Sequence, residues 1–146
     1  MLSNVDEAER IYLFVQHLGR RLREADALAG LTAARYSAMA SLRFHGSTNI
    51  GELAADERVK APSMTRLVRD MERDGLVRRC PDPDDGRGVL IVLTARGAAL
   101  FDRARAAKVT LVADYLATLP EAVQQAAAAA FRALEELAEP SEAAVP

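Results

Sequence analysis

The sequence predicts a mainly α-helical protein that carries one small β-hairpin. Three observations support this class. Apolar residues recur at helical spacing through most of the chain, alanine is abundant and proline is confined to breaks, and one short region alternates between strand-forming and turn-forming residues. With 146 residues, 50% of them hydrophobic and 27% charged, the chain can form one domain, or one domain plus an oligomerisation element.

The first two predicted helices precede the most informative part of the chain. A helix is predicted from about residue 6 to 28, and Gly30 is its C-terminal signal. Its apolar positions follow helical spacing: Ile11, Phe14, Val15, Leu18, Leu22 and Ala25. Thr32 is predicted to cap a second helix, which ends at His45 and Gly46. Both of these residues suit a helix C-terminus.

Two short helices separated by a tight break are predicted next. The first begins at Ile50, with Thr48 or Asn49 as its cap and Glu52 as the capping-box acid. Lys60 to Ser63 interrupts the helix, and Pro62 is predicted at the first position of the second helix. This helix is predicted to end at Gly75. Its apolar face is predicted to consist of Met64, Leu67, Val68 and Met71. Its polar, outward face is predicted to consist of Ser63, Arg66, Arg69, Asp70 and Arg73.

A hairpin and two further helices complete the prediction. Strands are predicted at 76–79 and 89–93, around a turn-rich, charged tip at 81–88. The order helix, break, helix, strand, charged tip, strand within residues 49–94 predicts a winged helix-turn-helix. Thr94 is predicted to cap a long helix that runs to about Thr118, and a last helix is predicted from Glu121 to about Leu137.

Charge is distributed unevenly along the chain, although the net charge is only -2. Residues 58–108 contain 12 Lys and Arg against 7 Asp and Glu, a local charge of +5. Residues 1–57 carry -2 and residues 109–146 carry -5. This asymmetry suits a protein that contacts phosphate with its central part and uses its ends for another purpose.

Several classes of protein are disfavoured by the composition. A single Cys excludes an internal disulfide framework, no apolar run reaches membrane-spanning length, and the first residues are acidic where a signal peptide is basic. A cytoplasmic protein without a membrane segment is therefore expected. Because no phosphate-binding loop, nucleophile motif, calcium loop or metal-ligand spacing occurs, we expect no enzyme activity, no cofactor and no metal.

The polar face of the second short helix supplies candidate contacts to duplex DNA. Ser63, Thr65 and Arg66 lie in its N-terminal half, which in such proteins meets base edges in the major groove. Arg69 and Arg73 are better placed for phosphates. At the hairpin tip, Arg87 is predicted to enter the minor groove, with Asp85 holding its guanidinium group.

The region resembles the winged helix-turn-helix of the MarR family (multiple-antibiotic-resistance-type regulators). The matching segments are IGELA at 50–54, PSMTRLV at 62–68, residues 71–77, the DxR tip at 85–87, and LTARG at 93–97. The helix order is similar over about residues 6–138. Two departures stand out: Ala61 replaces a frequent capping Ser or Thr, and Arg69-Asp70 reverses a common acidic-basic order.

The resemblance implies how the chain is divided and what it does. It implies an N-terminal dimerisation helix at 1–31, a winged helix-turn-helix DNA-binding domain at 32–94, C-terminal dimerisation helices at 95–139 and a flexible tail at 140–146. It further implies a homodimeric transcriptional regulator, a repressor of genes behind a pseudo-palindromic operator. A small aromatic or phenolic effector is also implied, and His17, Arg20, Tyr36 and Arg43 are its candidate lining residues by position.

Two alternatives remain open from the residues themselves. Three arginines on an amphipathic helix also suit a solvated face or a winged-helix protein-interaction module that does not bind DNA. Cys80, beside Arg78 and Arg79, suits either an inert thiol or a redox-sensitive one.

Overall fold

Six helices and a two-stranded antiparallel sheet make up the computed structural model, which describes residues 4–138. The elements are α1 (Asn4–Leu28), α2 (Ala33–His45), α3 (Ile50–Asp56), α4 (Ala61–Arg73), β1 (Val77–Pro81), β2 (Val89–Leu93), α5 (Ala95–Ala117) and α6 (Glu121–Ala138). The chain forms two compact units, residues 1–108 and 109–146. The mainly helical fold with a β wing is therefore confirmed.

Capping interactions explain where the helices begin and end. Thr32 caps α2 as predicted, since its hydroxyl oxygen accepts the N–H of Arg35 at 3.2 Å. Of the two predicted caps of α3, Asn49 takes the role and forms a capping box with Glu52. Gly75, at φ 71°, follows α4 in the left-handed conformation that glycine adopts without strain.

Two predicted boundaries are wrong by one or two residues. Helix α4 begins at Ala61, so Pro62 occupies its second position, where a missing N–H is equally harmless because no intrahelical acceptor exists there. Strand β1 runs from Val77 to Pro81 rather than over 76–79. The antiparallel pairing with β2 continues to Pro81 opposite Val89, which shortens the tip to residues 82–88.

The core of the first unit lies between α2, α3, α4, the base of the hairpin and the start of α5. It consists of apolar side chains that are at most 4% exposed: Leu31, Ala38, Met39, Leu42, Leu53, Ala54, Met64, Val68, Met71, Leu76, Val77, Ile91, Phe101 and Ala104. Thr48 joins the hairpin through a bridge to Ile91, with paired backbone hydrogen bonds of 3.2 and 2.7 Å. The two short helices bury their apolar faces against each other, against α2 and against the hairpin.

The start of α5 is joined tightly to the end of α4. The Thr94 hydroxyl donates to the carbonyl of Gly75 at 2.7 Å and accepts the N–H of Gly97 at 3.0 Å, which confirms Thr94 as the helix cap. Gly97 lies directly against the Leu76 backbone. A Cβ at Gly97 would approach the Leu76 carbonyl oxygen to 2.0 Å, so this position requires glycine.

A buried ion pair connects α1 with α5. Asp26 is 3% exposed, and the Lys108 ammonium lies 2.7 Å from its Oδ1. Apart from this ion pair, Asp26 Oδ1 has no hydrogen-bond partner among the described residues. The same ammonium lies 3.1 Å from the centre of the Tyr36 ring on α2. One cation therefore binds groups from two other helices.

The second unit contains the end of α5 and helix α6. Between them the chain turns at Leu119 and Pro120, where the Leu119 N–H donates to the carbonyl of Leu116 at 2.9 Å. Large apolar side chains of this unit are exposed: Val109, Leu116, Leu119, Val123, Phe131 and Leu134. The predicted tail at 140–146 lies outside the described residues. No described helix is long and apolar enough to cross a membrane.

Candidate nucleic-acid interface

Helix α4 is sharply divided into a buried and an exposed face. Met64, Val68 and Met71 are at most 1% exposed, as the apolar spacing predicted. Because each helical residue turns by ~100°, the opposite side carries Pro62, Arg66, Arg69 and Arg73. We call Arg66, Arg69 and Arg73 the arginine stripe. It is a cationic surface about two turns long, a shape that fits the major groove of DNA.

Ser63 and Thr65 lie on the two flanks of the arginine stripe. Ser63 is exposed near the start of α4. The Thr65 hydroxyl donates to the carbonyl of Ala61 at 2.8 Å, so its proton is already used within the helix. Its oxygen can still accept, and its methyl group is available for apolar contact. These positions suit contacts to base edges.

The members of the arginine stripe differ in their intramolecular partners. Arg73 Nη2 lies 3.0 Å from Asp70 Oδ1, and Arg73 Nε lies 4.0 Å from Asp74 Oδ1. Among the described residues, no salt bridge within 4.0 Å engages Arg66 or Arg69. The structure therefore separates two available cations from one that carboxylates already hold.

The tip of the hairpin is a compact, hydrogen-bonded loop. The Asp82 N–H donates to the carbonyl of Gly88 at 3.0 Å, and the Gly88 N–H donates to the carbonyl of Asp85 at 2.8 Å. A Cβ at Gly88 would lie 2.8 Å from Cβ of Asp82, so the loop also needs this glycine. The loop exposes Arg87 at its end. Such a shape can place one cation in a minor groove.

Asp85 holds Arg87 differently from the sequence prediction. Its Oδ1 accepts the backbone N–H of Arg87 at 3.1 Å, whereas no salt bridge joins the two side chains in the described part of the chain. A carboxylate two residues before an N–H forms this local turn readily. Asp85 therefore shapes the backbone that presents Arg87 and does not itself bind the guanidinium group.

Two ion pairs that join α4 to its neighbours were missed by the sequence prediction. Arg79 Nε on β1 lies 3.2 Å from Glu72 Oε2, and Arg35 Nη1 on α2 lies 2.7 Å from Asp74 Oδ2. Both fix the C-terminal half of α4 relative to other elements. No spacing in the sequence identifies such pairs, because their partners lie on different elements and meet only after folding.

The four candidate effector residues lie on two helices, His17 and Arg20 on α1 and Tyr36 and Arg43 on α2. The Tyr36 ring contacts the ring of Phe101, and the two ring centroids lie 5.0 Å apart. Burial, followed by the charge of Asp26, raises the pKa of the Tyr36 hydroxyl, whereas the charge of Arg105 lowers it. Arg43 Nε binds Asp102 at 3.3 Å and lines a cavity of about 280 Å³. A second cavity, of about 410 Å³, has none of the four in its lining.

Cys80 lies half-buried on β1, with Sγ 3.7 Å from the carbonyl oxygen of Leu90. Among the described residues, no group of three or more His, Cys, Asp or Glu side chains is arranged to hold a metal ion.

Comparison with known proteins reveals clear relatives. Residues 31–89 match the family model described as MarR family. An uncharacterized HTH-type transcriptional regulator of Mycobacterium bovis is 38% identical over 117 residues, which span 80% of this chain and 82% of that protein. The HTH-type transcriptional repressor MdtR of Bacillus subtilis is 29% identical over 127 residues, 87% of this chain and 82% of the repressor. The crystal structure of the YusO protein of B. subtilis is similar at a TM-score of 0.76 and 28% identity, over 94% of this chain and 100% of that one.

Proposed function

Because the chain belongs to the MarR family of transcriptional regulators, we propose that it is a homodimeric repressor that binds a pseudo-palindromic operator in double-stranded DNA. The relatives are named as regulators, and the chain is a regulator rather than an enzyme. The observation that carries the proposal is the arginine stripe on α4 next to the loop that presents Arg87. The two cationic features suit a major groove and the adjacent minor groove.

Residue roles follow from position and chemistry. Arg66, in the N-terminal half of α4, can donate two parallel hydrogen bonds to guanine O6 and N7, the commonest base-specific contact of arginine. Ser63 and Thr65 beside it can bond to base edges or phosphates. Arg69, Arg73 and Arg87 supply charge for the backbone and the minor groove. Asp85 supports the loop that carries Arg87.

Arg66→Ala should weaken binding to the operator by about 5- to 150-fold for each half-site, because a bidentate guanine contact is worth roughly 1–3 kcal/mol. Fluorescence anisotropy over a range of salt concentrations, on duplexes from the promoter of the neighbouring gene, measures this loss. Arg21→Ala, which removes an exposed arginine from the second half of α1, is the control and should bind as the wild type does. If Arg66→Ala binds equally well and binding is insensitive to salt, a protein-interaction module is the better account.

The dimer is supported by apolar surface that neither unit buries by itself. The first half of α1 exposes apolar side chains on every side of the helix. Six large ones are 46–74% exposed: Val5, Ile11, Tyr12, Leu13, Phe14 and Val15. A helix that is apolar all round normally lies inside an assembly. Helix α6, in the second unit, also exposes large apolar side chains. A two-fold dimer would also match a palindromic operator.

Ile11→Glu should shift the protein from dimer towards monomer, because it would place a charge in the buried interface. Sedimentation equilibrium should give twice the 15.8 kDa chain mass for the wild type and a lower mass for the variant at the same concentration. Gln16→Glu adds the same charge to the same helix at a polar position and should remain dimeric. A wild-type protein that sediments as a 15.8 kDa species at every concentration would rule the dimer out.

A small aromatic or phenolic effector completes the proposal. The cavity beside Arg43 is lined by Leu42, Val92, Leu93 and Ala98 as well, so it offers one cation and an apolar wall. His17, Arg20 and Tyr36 remain candidate lining residues by position. Benzoate, the simplest aromatic anion, should raise the melting temperature of the wild type and not of Arg43→Gln. An unchanged wild-type melting temperature at millimolar benzoate would count against this site.

A further inference from the structure

We propose that Asp70 withholds Arg73 from DNA and thereby limits the sequence-independent affinity of helix α4. The inference rests on the proposed DNA-binding function and adds a residue that opposes it. Arg73 is the member of the arginine stripe that has carboxylate partners among the described residues, and Asp70 is an acidic residue on an otherwise cationic surface.

The geometry places the competition at the DNA-facing surface. The Arg73 side chain is 71% exposed, so the guanidinium is not buried by its contact with Asp70 at 3.0 Å. Asp70 itself is 38% exposed and lies three residues earlier, on the same side of the helix. A phosphate group approaching α4 would meet a cation whose nearest partner is already a carboxylate.

Asp74 strengthens this arrangement because its own position is fixed. Its Oδ2 lies 2.7 Å from Arg35 Nη1, and the Arg35 side chain is only 20% exposed. Its Oδ1 lies 4.0 Å from Arg73 Nε. Arg73 is thus held between a carboxylate on its own helix and a second one that α2 anchors.

Helix stability gains little from the acid at position 70, because its ion pair with Arg73 is offset by its unfavourable position near the helix C-terminus. The C-terminal end of a helix carries partial negative charge, so an aspartate near it is unfavourable whereas Arg73 is favourable. The acid also lowers the charge of a surface that binds polyanions. Its cost is compensated if it reduces binding to arbitrary DNA, because phosphate contacts provide nearly all of the sequence-independent affinity.

Asp70→Asn should therefore release Arg73 to a phosphate. Loss of one helical i,i+3 ion pair changes an equilibrium constant by a factor of about two. A dimer loses two such pairs, one on each recognition helix, so its affinity for DNA should rise about fourfold. The gain should appear on random-sequence duplex and on operator alike. The slope of log affinity against log salt should also steepen by about 0.9 for each phosphate gained.

Four variants measured by anisotropy on random-sequence duplex test the inference. Asp70→Asn should gain affinity, whereas Asp70→Asn combined with Arg73→Gln should gain nothing over Arg73→Gln alone. Asp56→Asn, which removes one exposed acid from α3 without releasing an arginine, should leave the affinity within the error of the wild type.

Each other outcome has a definite meaning. An equal gain from Asp70→Asn in the Arg73→Gln background would show simple charge repulsion and overturn the inference. The inference would also be overturned if the Asp70→Asn variant had the same affinity and the same salt slope as the wild type. A wild-type protein that binds no duplex would overturn the proposed function itself.

Discussion

Gly97→Ala is expected to destabilise the protein by about 2 kcal/mol or more, although alanine favours a helix. The added Cβ would lie 2.0 Å from the Leu76 carbonyl oxygen and 2.9 Å from its carbonyl carbon. That oxygen cannot easily move, because it accepts the Thr94 N–H at 3.0 Å and the Thr94 hydroxyl lies 3.2 Å away. Overpacking of this kind costs about 1–3 kcal/mol, occasionally more, and the helix gains at most ~1 kcal/mol.

Urea denaturation followed by circular dichroism measures the effect of Gly97→Ala. Gly19→Ala is the matched control, since it is also within a helix and its Cβ would meet only the end of the flexible Arg23 side chain, at 3.4 Å. That variant should be unchanged or more stable by up to ~1 kcal/mol. If Gly97→Ala were as stable as Gly19→Ala, the result would contradict the close approach of Gly97 to the Leu76 backbone.

Lys108→Met is expected to cost about 3–5 kcal/mol, because it leaves the Asp26 carboxylate buried without a counter-charge. The two side chains are 16% and 4% exposed, so water cannot replace the missing ammonium. The variant also loses the cation over the Tyr36 ring. Denaturant titration should show a lower midpoint with an unchanged slope.

Two further variants make the Lys108 result specific. Lys60→Met makes the same substitution at an exposed lysine and should change stability by no more than about 0.5 kcal/mol. Asp26→Asn combined with Lys108→Met removes both charges and should recover a large part of the loss. A double variant that is no more stable than Lys108→Met would contradict the role given to the buried charge.

Local sequence signals predicted most of the fold. The caps at Thr32, Asn49 and Thr94 are made by side chains that bond to backbone three residues later, so they can be recognised without tertiary information. The buried face of α4 followed from spacing alone. The errors at Pro62 and Pro81 are at element ends, where helices and strands extend as far as their neighbours allow.

Non-local contacts explain what the sequence did not predict. The Asp26–Lys108 and Glu72–Arg79 pairs join residues of different elements, and their charges looked like ordinary surface charges. The partners of Arg73 are different, since Asp70 lies at i,i+3 spacing and could have been recognised. Asp85 was predicted to bind the Arg87 guanidinium, but a two-residue separation favours the nearer backbone N–H.

Selection of bound duplexes from a random-sequence pool tests the central claim most directly. The proposed homodimer predicts enrichment of one pseudo-palindrome, whose half-sites are spaced by about one helical turn of DNA so that two α4 helices enter successive major grooves. The wild type should enrich guanine at one position of each half-site, and Arg66→Ala should lose the preference for guanine at that position. A pool that shows no enrichment, or a single half-site without its symmetric copy, would contradict a dimeric, sequence-specific regulator.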